Sequence, residues 1–278
     1  MGGLQPSFRI FTLFLALLGG QVLVAVVLLS FFGVSGSEDG DLGALTPNSL
    51  RSVLFVSQFL GFLIPGLLLL QLWGLHRDQL FESSSHNWIP GVVVLSYFVS
   101  LPLFTWAYSY NMSLSVPDWW PFAVEAVPEE IFQLLAQEGP WALLANLTVI
   151  GLLPAVAEEL VFRGLLQPQI QKLVRSHIVG IIITALFFSL IHLDFQGIFP
   201  RWILGLILGF AFYYSRSLLW PILIHFIHNG GQVLISYFYG DFIEIESEPL
   251  EVSWSIWPLL SGLGVLGIIL LLHRKALK

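Results

Sequence analysis

The chain reads as an all-α, polytopic integral membrane protein with about eight transmembrane helices. Three observations predict this. Of its 278 residues, 56% are hydrophobic and only 10% are charged, whereas a soluble domain carries about 25% charged residues. The apolar residues gather in runs close to the roughly 20 residues that cross a bilayer core. The Lys and Arg residues sort to alternate ends of those runs, as the positive-inside rule requires.

In order, the spans are expected at roughly Phe8–Phe32, Ser52–Trp73, Trp88–Tyr110, Trp141–Arg163, Ile178–Leu193, Pro200–Tyr214, Leu218–Tyr239 and Trp254–His273. The first is longer than a signal-peptide core and has only Arg9 before it, so a retained helix is expected. Asp194 and Gln196-Gly197 break the fifth span from the sixth. No loop holds a second domain, so residues 1–278 read as a single membrane domain, with 141–239 as its core. Eight spans put both termini on one side with Arg9, Arg77, Arg163, Lys172, Arg175, Arg216, Arg274, Lys275 and Lys278, and leave only Arg51 and Arg201 opposite. Both termini should therefore be cytoplasmic, with a plasma or inner membrane as the setting. The other side collects acidic loops, and Pro128, Glu129 and Glu130 suit the first turn of a loop helix that stops at Gly139. Gly205, Gly209 and Gly231 mark faces where helices can approach closely. The chain has no Cys, which excludes disulfides and thiolate metal sites. It has no basic patch for nucleic acid.

Ionisable groups inside apolar spans are costly, so they mark functional sites by default. Three spans carry them. The fourth ends in Glu158-Glu159-Leu160-Val161-Phe162-Arg163. On a helix Glu159 and Arg163 share a face at i and i+4, whereas Glu158 points about 100° away. Arg163 should neutralise Glu159 and leave Glu158 for chemistry. Pro154, four residues earlier, removes a backbone donor and should kink the helix. The fifth span carries Phe188 and His192 one turn apart, and the seventh carries His225 and Asn229 at the same spacing, with His228 between them.

The set has two chemical uses. In one, Glu158 is a general base that activates water, His192 helps hold that water, and His225 and Asn229 donate to a developing oxyanion. In the other, Glu158, His192 and His225 bind a divalent metal, Zn2+, with a fourth position open for water. The HExxH spacing of soluble metalloproteases is absent. A proton-coupled membrane transporter would also use intramembrane Glu, His and Arg, although no internal repeat is visible. A catalytically idle scaffold or immunity protein would keep the helices without the chemistry.

These stretches resemble the motifs of the CPBP (CAAX protease and bacteriocin-processing, Abi) family of intramembrane proteases, related to the type II CAAX prenyl endopeptidase. That pattern is EExxxR, then FxxxH, then HxxxN or HxxxD on successive helices. Residues 158–163, 188–192 and 225–229 match it at every position. The resemblance implies a CAAX-protease-like helical bundle and cleavage of a membrane-associated peptide or protein within the bilayer. It also implies catalytic roles for Glu158, His192, His225 and Asn229, with Glu159, Arg163, His228 and Phe188 as their supports. Asn229 is a poor zinc ligand and a good oxyanion donor, which favours the metal-free glutamate mechanism. On straight helices with these boundaries Glu158 falls near the cytoplasmic end of its span and His192 toward the opposite end. Tilted helices or a later start to the fifth span would reconcile them.

Overall fold

The computed structural model describes residues 4–32, 46–82, 86–120, 131, 134–136, 138–239 and 256–276. Apart from one isolated bridge between Phe81 and Ser217, the regular structure among them is helical. Helix α1 is Pro6–Phe32, and α2 runs from Pro47 to Leu72. A short α3 (Arg77–Leu80) precedes α4 (Ile89–Met112). Then come α5 (Pro140–Val174), α6 (His177–Leu190), α7 (Ile198–Ser215), α8 (Leu219–Tyr239) and α9 (Ile256–Ala276). These overlap all eight expected spans. Six of the helices are long and apolar enough to cross a membrane. The exceptions are the four-residue α3, α6 with 14 residues, and α8, which carries His225, His228 and Asn229. The protein is a multi-pass integral membrane protein. Glu38, Asp39, Asp41, Glu125 and the acidic residues from Asp241 to Glu251 lie outside the described residues, as does the expected helix start at Pro128, Glu129 and Glu130. The last helical residue described in that loop is Leu135, so the helix stops short of Gly139, whose φ of 101°, which an L side chain rarely adopts, comes just before α5 begins at Pro140.

The chain divides into two compact units, each assembled from separate stretches. The first takes Met1–His76, Val127–Gln169 and His225–Ile243. Here α1 crosses α2 so closely that a Cβ on Gly20 would lie 2.6 Å from the Leu60 carbonyl oxygen. A Cβ on Gly66 of α2 would lie 3.1 Å from Leu160 of α5. Both α2 and α5 contain wide π-helical stretches, Phe59–Leu63 and Leu147–Leu152. Each is followed at once by an α-helical segment with Pro in its first turn, Pro65 and Pro154. Proline lacks an N–H, and its ring clashes with the carbonyl four residues back. A locally wider helix accommodates both problems. The kink expected at Pro154 thus takes the form of a π stretch before it. A third π stretch, Leu160–Leu166, follows the two carboxylates.

The fourth span was expected to end at Arg163, but α5 continues to Val174 and reaches 35 residues. The reason is that Arg163 is fully buried beside Glu159 and so does not mark the membrane edge. Glu158 consequently lies at mid-helix. The close contact between helices expected at Gly231 is made instead by Gly230, whose Cβ would lie 3.4 Å from Leu147 of α5, whereas Gly231 faces open space.

The second unit takes Arg77–Ala126, Ile170–Ile224 and Glu244–Lys278. Its α6 and α7 are packed across Gly205, whose Cβ would lie 3.0 Å from Ala185 Cα. Helix α9 joins α4 through Ser261, which donates to the Val99 carbonyl. Helix α6 stops at Leu190, two residues short of His192, because Leu193 takes a left-handed φ of 57° and Asp194 is extended. The break expected at Asp194 is real: its side chain caps a 3-10 turn, Phe195–Gly197. Helix α7 starts at Ile198, and Pro200 sits in its first turn, where a missing N–H does no harm.

Overpacking a tight helix contact costs about 1–3 kcal/mol. Gly205→Leu is therefore expected to lower the thermal unfolding midpoint in detergent by several degrees. An unchanged midpoint would mean that α6 and α7 do not approach each other at Ala185.

Candidate active site

In the first unit, α5 supplies two adjacent carboxylates that the structure treats differently. Glu159 is completely buried, and its Oε1 lies 2.7 Å from Arg163 Nη1. The i, i+4 pairing anticipated from spacing is therefore present, although the helix widens between the two residues. The same Oε1 lies 2.9 Å from His225 Nδ1. A carboxylate paired with guanidinium is an acceptor only, so Nδ1 carries the proton and donates it to Glu159. This fixes the His225 ring, 3% exposed, in one orientation. It is the way a carboxylate commonly aligns a working histidine.

Glu158 points elsewhere, as its 100° offset requires. It is 6% exposed, and its Oε1 accepts a hydrogen bond of 2.9 Å from Gln58 Nε2 on α2. Gln58 Oε1 is itself buried and has no hydrogen-bond partner among the described residues. Gln58 did not stand out in the sequence analysis. Its one signal is an amide, one of two with Gln71, inside an apolar span. Asn229, one turn after His225, donates from Nδ2 to the Ile150 carbonyl at 3.2 Å. His228 instead pairs with Gln232, one turn along α8, on an exposed face.

His192 and Phe188 belong to the second unit. The His192 ring meets the buried Phe188 ring edge-on, with centroids 5.4 Å apart, and its Nδ1 lies 2.9 Å from the Phe188 carbonyl oxygen. A carbonyl oxygen only accepts, so this nitrogen too carries the proton, and Nε2 carries the lone pair. Although His192 lies beyond the helix, its turn is firmly held. Trp120 Nε1 donates to the Leu193 carbonyl, and Asn111 bridges the Phe195 carbonyl and the Phe199 amide. Asp194 makes a 2.7 Å ion pair with Arg201.

Among the described residues, no group of three or more His, Asp or Glu side chains is placed to hold a metal ion. Within the first unit the structure shows three functional side chains, each held in its own way. There is one carboxylate held by an amide, one histidine oriented by a second carboxylate, and one amide donor anchored on backbone.

No curated protein and no solved structure matched the chain. One family model did match, that of Rce1-like proteins, described as "Type II CAAX prenyl endopeptidase Rce1-like", over residues 140–231. That stretch runs from the first residues of α5 to two residues past Asn229 and contains all three motifs, whereas Gln58 lies outside it. It is therefore to the Rce1-like family of membrane proteases, consistent with the CPBP group, that residues 140–231 correspond.

Proposed function

We propose that the protein is an intramembrane endopeptidase that hydrolyses a peptide bond in a membrane-associated peptide or protein. The observation that carries this reading is the unequal treatment of the two carboxylates. Glu159 makes direct contacts to Arg163 and His225, whereas among the described residues the hydrogen bond to Glu158 comes from a neutral amide. A catalytic base must be positioned without being neutralised by a cation, and Glu158 meets that requirement.

In the proposed reaction Glu158 takes a proton from water as the oxygen attacks the scissile carbonyl carbon. Charge moves to the carbonyl oxygen, and His225 and Asn229 stabilise it. Because His225 Nδ1 already donates to Glu159, donation from Nε2 requires the doubly protonated ring. Collapse of the tetrahedral intermediate breaks the C–N bond, and Glu158 returns its proton to the leaving amine. Gln58 holds Glu158 throughout, with its own Oε1 turned to accept from the attacking water.

His192 is assigned to holding that water through Nε2. The sorting of the basic residues supports cytoplasmic termini. Zinc held by Glu158, His192 and His225 is the competing mechanism, and the same samples distinguish the two.

Removing a general base typically slows a reaction about 10²–10⁴-fold. Glu158→Gln is expected to abolish cleavage of a quenched-fluorescent peptide library by that margin while keeping the wild-type melting midpoint. Wild-type cleavage in this variant would contradict the reading. Stoichiometric zinc in the active protein, with activity lost on chelation and restored by zinc, would favour the metal mechanism. Gln58→Leu removes a hydrogen bond to a charged group, worth about 1.5–3 kcal/mol. It should slow cleavage at least about tenfold with little change in KM, and an unaltered kcat would remove Gln58 from the mechanism.

A further inference from the structure

Asn229 donates to the carbonyl of Ile150. That carbonyl lies four residues before Pro154. It lies in the π stretch whose last N–H, that of Leu153, goes to the Thr148 carbonyl; the next donor along the chain would be residue 154, and proline has none to give, so the carbonyls after Thr148 have one donor too few. A carbonyl left without a donor inside hydrocarbon is costly, so a donor from another helix is welcome there. The donor can reach it because the two helices nearly touch at this level. A Cβ on Gly151 would lie 3.1 Å from the Phe226 ring and 3.4 Å from Gly230 Cα, both on α8. Asn229 stands between those two residues and has a short side chain, which suffices only across such a gap.

We propose that Pro154 and Gly151 are positioning residues for Asn229. Pro154 frees the Ile150 carbonyl, Gly151 brings α8 within reach of it, and the resulting hydrogen bond fixes which end of the Asn229 amide faces the reaction. This rests on the endopeptidase reading above. A primary amide carries two N–H groups on one nitrogen and an acceptor oxygen at the other end. An unanchored amide can turn by 180° and present its oxygen to the oxyanion, where it would repel. Spending one N–H on Ile150 forces the nitrogen inward and leaves the second N–H on the same atom for the developing charge. The proline thus acts through a backbone carbonyl on a side chain of another helix. A preorganised donor of this kind needs no rearrangement at the moment of reaction, which is what makes such donors effective.

The alternative is that the bond only ties two helices together, as polar contacts between membrane helices do. Pro154→Ala, Asn229→Ala and the double variant distinguish these ideas, measured as kcat, KM and melting midpoint on a quenched-fluorescent peptide that the wild type cuts. Asn229→Ala should lower kcat about 10²–10³-fold with little change in KM. Pro154→Ala restores the missing backbone donor and should lower kcat about tenfold, again with KM unchanged. The double variant should be no slower than Asn229→Ala alone, because the proline acts only through the amide. Effects that multiply in the double variant, or a wild-type kcat in Pro154→Ala, would overturn the proposal. A wild-type kcat in Asn229→Ala would instead remove the oxyanion role, and the proposal with it. Should Pro154→Ala fail to fold, Gly151→Ala replaces it. That variant pushes α8 away without adding a donor and should show the same dependence on Asn229.

Discussion

Glu159 Oε1 lies 2.7 Å from Arg163 and 2.9 Å from His225, and all three side chains are at least 97% buried. A carboxylate and a guanidinium taken separately into such surroundings would each cost several kcal/mol. Brought together, they let α5 continue through a level where either charge alone would end it. The same oxygen then orients a histidine on α8. One carboxylate thus matches a buried guanidinium, lets α5 run on past it and orients a residue assigned to the reaction. Glu158 can stay beside this group, held by an amide rather than a cation, because Arg163 is already matched.

Much of the remaining geometry comes from backbone that is not α-helical. Hydrocarbon provides no hydrogen-bond partners, so irregular backbone in a membrane survives only where protein groups satisfy it. Here the irregular stretches are π-helical and lie directly before Pro65 and Pro154 or directly after the paired carboxylates. The first starts right after Gln58, and the second contains Ile150, the carbonyl that Asn229 caps. The residues that touch Glu158 and Asn229 are therefore at or next to the places where helix geometry departs from regularity. π stretches often occur at functional sites for this reason.

Sequence spacing revealed the residues that carry charge. Glu159 with Arg163 at i+4, and His225 with Asn229 at i+4, follow from helix periodicity and needed no structure. The all-α membrane fold was equally legible from the apolar runs. What spacing could not convey was contact between distant helices. Gln58 is an unremarked amide 100 residues before Glu158, and nothing local predicts that they meet. Pro154 was legible as a break in hydrogen bonding, yet the donor that takes the freed carbonyl comes from 79 residues away. The fourth span was cut short because Arg163 was read as an edge charge, whereas burial beside Glu159 makes it an interior one. His192 was placed on a helix because the apolar run continues through Leu193, and hydropathy does not register the left-handed turn at that residue.

The central claim is that Glu159 serves two separable ends, matching the charge of Arg163 and orienting His225. The measurement that tests it most directly is a comparison of thermal midpoint and peptide cleavage for Glu159→Met, Arg163→Met and the double variant, all in the same detergent. Breaking a buried pair by removing one partner typically costs about 3–5 kcal/mol, whereas replacing both with apolar residues of similar volume is often close to neutral. The account predicts that each single variant melts well below the wild type, that the double variant recovers most of the loss, and that it still does not cleave because His225 has lost its carboxylate. Additive losses of stability, or cleavage restored in the double variant, would contradict it.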